Sequence, residues 1–187
     1  AVAPEVSNWS EDELVDHDDL GELPRCQVSL KLSALTSRFK PLAPEVTARA
    51  VKDRLRPILR LARERRVHVH VDMEHAEFKD LTLQIFREIM SEPEFRDWPD
   101  CGIVIQAYLR DSGADLRLLR GWVEARGTPI TVRLVKGAYW DYETMQAEYR
   151  GWPCPVFQQK WESDANFEEQ TRFLLEHRQW LRPAIAS

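Results

Sequence analysis

Hydrophobic positions recur along this chain with two different periods, and the switches between them divide it into elements. Gln27 to Leu35 alternates, with Val28, Leu30, Leu32 and Ala34 set against Ser29, Lys31 and Ser33, which predicts a strand. From Pro41 to Arg66 the period is helical. Val51, Leu55, Ile58, Leu59 and Ala62 share one face, and Arg54, Arg56, Arg60 and Arg63 fall largely on the other, solvated one. Pro44 suits a first helical turn, whereas Pro57 lies inside and predicts a kink or a break. Val67 to Met73 alternates again as a second strand, and Glu77 to Met90 is a helix with Phe78, Leu81, Ile85, Phe86 and Ile89 inward. Ile103 to Tyr108 is a continuous apolar run broken by Gln106, as in a strand covered on both faces. Asp115 to Arg126 reads as a helix with Leu116, Leu119, Trp122 and Val123 inward, ended by Gly127 and Pro129. A strand follows from Thr131. Tyr142, Met145 and Tyr149 then predict a short helix closed by Gly151. The last helix starts near Ser163, with Ser163 or Asp164 as N-cap and Phe167, Thr171, Leu174 and Leu175 inward. The final LRPAIAS begins a fifth strand.

Strands and helices thus alternate from Gln27 onward, which predicts an α/β fold with a parallel sheet and helical crossovers. No GxGxxG or GxxxxGK[ST] follows a strand, so neither a dinucleotide fold nor a P-loop is indicated. Polar residues recur instead near strand C-terminal ends, at Asp72, Gln106 and Lys136, where barrel enzymes place their chemistry. A closed eight-stranded barrel takes about 250 residues. At 187 residues and about five strands, the expectation is a partial (βα)8 barrel, truncated over residues 27–187. An acidic lead-in occupies residues 1–26, exposed, with Ser10 able to cap a short helix.

Charge and cysteine content narrow the function. Lys+Arg is 26 and Asp+Glu is 31, a formal net charge of −5 that gives no support to nucleic-acid binding. No apolar run reaches the length of a membrane span and no signal peptide is visible. Cys26, Cys101 and Cys154 are widely spaced and fit a reducing compartment. His68, His70 and Asp72 share one strand face, like the HxH of metal-dependent hydrolases. No further histidine on another strand completes a metal site, and Asp72 is the stronger functional candidate.

The stretch Thr131 to Tyr142, TVRLVKGAYWDY, carries the most chemistry. Arg133 and Lys136 supply two cations, Gly137 removes a side chain, and Tyr139 and Trp140 add two aromatics at one strand end. Together they suit a flat, anionic ligand. Lys31, within its strand, needs an anionic partner or a function if both faces are buried.

The segments VSLKLSAL, VHVDMEHAEFKDLTLQIF, GIVIQAYLRD, TVRLVKGAYWDYE and QKWESDANFE together resemble proline dehydrogenase, in the form fused to glutamate-semialdehyde dehydrogenase in bacterial proline utilization A. The resemblance covers roughly Gln27 to the C-terminus. It implies an FAD-containing (βα)8 barrel that oxidises L-proline to Δ1-pyrroline-5-carboxylate. A hydride passes from proline C5 to flavin N5 and the electrons go on to a quinone. It also implies a cytoplasmic bacterial protein working at the periphery of the inner membrane. Arg133 would lie against the flavin near N5, and Val135, Lys136, Gly137, Ala138, Tyr139 and Trp140 would line the ring. Gln106 would hydrogen-bond its edge. Lys31 and Asp72 would border the substrate pocket, Lys31 facing the proline carboxylate or the flavin, and Asp72 orienting its neighbours. A reduced flavin is anionic, and fixed cations beside it suit that charge. The family's later strands, and its helix with paired arginines for the proline carboxylate, are expected from the remainder of the barrel or the fused aldehyde dehydrogenase polypeptide. Three alternatives stay open. One is a Schiff-base barrel aldolase with Lys136 as nucleophile. Another is an inactive fragment. The third makes Arg133 a buried ion-pair partner of a carboxylate such as Asp72.

Overall fold

A computed structural model describes residues 3–6, 9–18 and 21–186. The parts of the lead-in at 1, 2, 7, 8, 19 and 20, and Ser187 at the end of LRPAIAS, lie outside the described residues. Five strands form one parallel sheet in sequential order: β1 (Cys26–Leu30), β2 (Val67–Val71), β3 (Cys101–Gln106), β4 (Ile130–Val135) and β5 (Leu181–Ile185). The crossovers are α1 (Pro44–Glu64), α2 (Ala76–Met90), α3 (Ser112–Arg126), and the pair α4 (Trp140–Arg150) and α5 (Lys160–Glu176). This strand order without rearrangement is how a (βα)8 barrel runs.

One face of the sheet packs on the helices. Val69, Val71, Ile103, Ile105, Ile130, Val132, Leu134 and Leu181 meet Val51, Leu55 and Leu59 of α1, Ile85, Phe86 and Ile89 of α2, Leu116 and Leu119 of α3, and Leu174 of α5 in a single core. Because side chains alternate along a strand, the residues between them point to the other face. The register aligns Ser29, His70, Gly102, Thr131 and Arg182 as one row across that face. Val104, Arg133 and Ala184 form the next row, and Gln106 and Val135 the one after.

Several sequence expectations change. β1 ends at Leu30, and Leu32–Leu35 is a 3-10 turn, so Lys31 stands beyond the strand end instead of inside it, exposed. Leu32 is buried by the turn it begins, not by a strand face. Pro57 does not interrupt α1, which runs as one helix from Pro44 to Glu64. The short lead-in helix Glu13–Asp16 is capped by Asp12, whose carboxylate accepts from the Leu14 N–H at 2.9 Å, and not by Ser10. A lead-in expected to be wholly exposed contains the buried Asp16, whose carboxylate forms a two-point ion pair with Arg25, Nε to Oδ1 at 2.9 Å and Nη2 to Oδ2 at 2.6 Å. The cap of α5 is Gln159, in a reciprocal capping box with Glu162; Ser163 and Asp164 lie inside the helix. Ile58 and Leu175, placed inward by periodicity, are exposed, and the short helix α4 buries Glu143 and Ala147 while Met145 and Tyr149 face solvent.

Several cations outside the sheet are tied down. The arginine face of α1 is not merely solvated: Arg56 pairs with Glu92 at 2.8 Å, Arg60 with Glu94 at 2.7 Å and Arg63 with Asp97 at 3.0 Å, all on the loop after α2. Arg126, the last residue of α3, is buried and donates to the carbonyls of Met90, Phe95 and Trp98 at 2.7 to 3.0 Å. A cation at helix C-termini complements their carbonyls and dipoles.

Gly102 leaves room for His70. A Cβ there would stand 2.6 Å from the imidazole and 2.7 Å from the Thr131 carbonyl oxygen. Gly102→Ala is expected to destabilise the fold by about 1–3 kcal/mol, the usual cost of overpacking, measured as a lower urea midpoint.

Candidate functional site

At the C-terminal ends of the strands a cleft of ≈ 400 Å³ opens on the face away from the helices. Lys31, Asp72, Gln106, Arg133, Val135, Lys136, Gly137, Ala138 and Tyr139 line it, with Met73, Val104 and Ala186. Four strand ends and the loop after β4 therefore bring nearly all the expected residues together. Trp140 is the exception. It is the first residue of α4, and its indole N–H donates to the Phe157 carbonyl at 2.8 Å on a partly exposed surface.

Arg133 crosses the cleft floor. Its Nη1 lies 3.3 Å from Asp72 Oδ1, and its Nη2 donates to Ser29 Oγ at 3.1 Å. Both members of the ion pair are about one quarter exposed, at 27% and 28%, so the guanidinium is oriented by Asp72 and still reachable from the cleft. The pairing raised as an alternative thus exists, and it leaves Arg133 on the cleft wall. Gln106 is buried, and its carbonyl oxygen has no hydrogen-bond partner among the described residues. An orphaned buried acceptor costs free energy unless a donor meets it. Lys31 brings a second cation to the rim.

Lys136 reaches sideways to Asp164 of α5 at 2.8 Å, and its ammonium lies 5.8 Å from the centre of the Phe167 ring. Hydrogen bonds from Lys136 and Lys160 hold the Asp164 carboxyl below the usual carboxylate range. The close approach that Gly137 permits is that of Tyr108. With φ at 133°, a Cβ on Gly137 would come within 2.4 Å of the Tyr108 ring. The Tyr108 N–H also donates to the Lys136 carbonyl at 2.7 Å, which fixes the loop after β4. At the rim, Ser33 Oγ donates to Glu74 at 2.8 Å and joins the loops after β1 and β2.

Below the cleft, His68 and His70 stand side by side with ring centres 4.4 Å apart, both buried. Burial first, then the neighbouring cations, pushes His68 down to about 3 and His70 down to about 4. Both are neutral imidazoles at neutral pH. Among the described residues, no group of three His, Cys, Asp or Glu side chains converges as metal ligands.

Met73, Val104 and Ala186 were not anticipated as lining residues. The signal for Val104 was its place two residues before Gln106, on the same strand face. Ser29, which holds Arg133, was legible only as a polar residue of the first strand.

A parallel βα sheet with a cleft carrying charged side chains at the strand C-terminal ends is the arrangement of the barrel enzymes. The model of the proline dehydrogenase family matches residues 2–187, and the chain belongs to that family. Proline utilization A (PutA) from Bdellovibrio bacteriovorus, solved after inactivation by N-propargylglycine, is 50% identical and superposes with a TM-score of 0.97 over 100% of this chain and 19% of its own. PutA from Corynebacterium freiburgense is 34% identical over 86% of this chain and 17% of its own, with a TM-score of 0.82. The bifunctional protein PutA of Klebsiella aerogenes is 29% identical over 161 residues, 86% of this chain. The chain spans only 12% of the length of that relative. The five strands are a segment of the (βα)8 barrel of this family. No helix among the described residues is long and apolar enough to cross a membrane.

Acid should weaken the native state through the two histidines. The unfolded chain titrates near pH 6.5 and takes up protons that the buried rings refuse. Stability is therefore full above about pH 6.5 and is lost as pH falls toward 4. At pH 5 the loss is about 2 kcal/mol for each imidazole. Urea midpoints measured at pH 7 and pH 5 check this, and His70→Gln should flatten the dependence.

Proposed function

We propose that residues 27–187 of this chain form the N-terminal portion of the active-site barrel of an FAD-dependent proline dehydrogenase, which oxidises L-proline to Δ1-pyrroline-5-carboxylate and passes electrons to a quinone. The observation that carries the reading is the cleft wall in which Asp72 orients Arg133 beside the orphaned carbonyl of Gln106.

The residues present fit the isoalloxazine ring. The cleft combines apolar wall from Met73, Val104, Val135 and Ala138 with three cations, Lys31, Arg133 and Lys136, and an unmet acceptor. Gln106 would accept a hydrogen bond from the ring's edge, which relieves the cost of its buried oxygen. Arg133 would stand against the ring with its charge fixed, since a guanidinium does not deprotonate at working pH. Asp72 and Ser29 hold it there before substrate arrives, so little reorganisation is needed when negative charge develops. The bound flavin would supply the hydride acceptor. Lys31, free of a protein partner among the described residues, would attract the proline carboxylate or the flavin. Tyr139 and Ala138 would close the side of the pocket against the substrate ring. Lys136 belongs to the support: its pairing with Asp164 binds the loop after β4 to α5.

The same pairing counts against the aldolase reading, because a Schiff-base lysine must present an uncharged amine. Borohydride reduction with a carbonyl substrate should leave no adduct on Lys136.

The deciding measurement is a visible spectrum of the protein that carries this chain, with and without added FAD. A flavin band that bleaches with L-proline under anaerobic conditions is expected; a colourless protein that takes up no FAD would end the proposal. Arg133→Met should lower kcat/KM for proline by about 10²–10³, the range seen when one preorganised charge donor is removed. Arg133→Lys should recover only part, since the ammonium cannot reach Asp72, Ser29 and the ring together.

A further inference from the structure

Beside the cleft lies an aromatic cluster that the reading above does not use. His75 is the residue before α2, at the end of the loop after β2. Its ring lies 4.4 Å from that of Tyr139 and 4.1 Å from that of Tyr142, centre to centre. It is thus wedged between the last residue of the loop after β4 and the first turn of α4. Tyr139 lines the cleft, whereas Tyr142 lines a separate pocket of ≈ 230 Å³ behind it. The wedge is held at its base by Glu143. This carboxylate is buried, accepts the Ala76 N–H at 2.7 Å and lies 3.6 Å from His75 Nδ1. The Glu143 N–H in turn donates to the Tyr139 carbonyl at 2.9 Å. Backbone, carboxylate and three rings therefore close a circuit beside Tyr139, whose other side faces the cleft. A carboxylate at the start of α2, and another group at the start of α4, would each satisfy helix N-termini without a ring at position 75. The imidazole supplies something further, a flat surface against Tyr139.

The geometry points to His75 as a positioning residue that fixes the Tyr139 ring on the cleft wall and thereby sets the affinity for the cyclic substrate. This rests on the proline dehydrogenase reading for the identity of that substrate, and on the ring contacts alone for the positioning. His75 does not itself line the cleft. Its effect is steric, through the face it offers to Tyr139, so any planar ring of similar size serves. Loss of the ring lets Tyr139 swing toward the space vacated and widens the pocket around the substrate.

The test compares His75→Ala with His75→Phe in the full-length protein. His75→Ala is expected to raise KM for L-proline about three- to tenfold, the range that an aromatic pair supports, with kcat and flavin content retained. His75→Phe restores the packed face and should return KM to within about twofold of the parent. A readout independent of turnover is the ¹⁹F resonance of 3-fluorotyrosine placed at position 139, expected to be single and sharp in the parent and His75→Phe, and shifted or broadened in His75→Ala. An unchanged KM and resonance in His75→Ala, or equal damage from both substitutions, overturns the proposal. A parent protein that takes up no flavin and ignores proline overturns the functional reading alone, and the fluorine signal then still decides whether His75 holds Tyr139.

Discussion

In a parallel strand every second side chain must face the same way, and in a sequentially ordered sheet neighbouring strands carry that alternation in register. The architecture of the cleft depends on this constraint. On β4 it sends Val132 and Leu134 into the helix-packed core and Arg133 and Val135 to the opposite face. The pairing of Val104 with Arg133 and of Gln106 with Val135 then fixes which chemical groups meet. A slip of one residue would turn the guanidinium into the helix-packed core, where β4 meets α5, and turn Val132 and Leu134 to the cleft side. The large apolar core on one side thus enforces the position of a charge on the other.

The polar face is arranged in depth. Neutral histidines fill the lower rows, the Asp72–Arg133 pair lies above them, and Lys31 and Lys136 stand at the rim. Arg133, Lys31 and Lys136 gather toward the strand C-terminal ends, while the two deeper histidines stay neutral because burial penalises ionisation and nearby cations, among them Arg182 in the His70 row, oppose a further positive charge. Buried cations elsewhere follow the same rule by other means. Arg126 is surrounded by carbonyls. Lys79 is pressed against charge by burial, yet hydrogen bonds from its ammonium to Asp115, Asp80 and Asp111 outweigh that and raise it above the ordinary lysine range.

The loop after β4 shows how a short motif is supported from outside itself. Gly137 is needed by the Tyr108 ring, Lys136 is held by α5, and Tyr139 by His75 of the second βα unit. These partners lie far from the motif in the chain, Asp164 following Lys136 by 28 residues and His75 lying two βα units earlier. The separation explains why the motif could be noticed in the sequence while its geometry could not.

The sequence by itself determined the strands, the crossovers and the strand-end position of Asp72, Gln106, Arg133 and Lys136, because hydrophobic period and strand alternation are local properties. It also carried the family resemblance. Caps were less legible: Asp12 and Gln159 displaced Ser10 and Ser163 because local geometry chose among several competent side chains. Leu32 to Leu35 continued the alternation but turned, since a 3-10 turn can bury Leu32 without a strand partner. Only the tertiary structure decided that Arg133 meets Asp72, that Lys136 turns to Asp164, that Trp140 leaves the cleft and that His75 packs against Tyr139 from outside it. Those outcomes are contacts between residues far apart in the chain, set by register and helix packing, and no local pattern encodes which of several available charges or rings will be the neighbour.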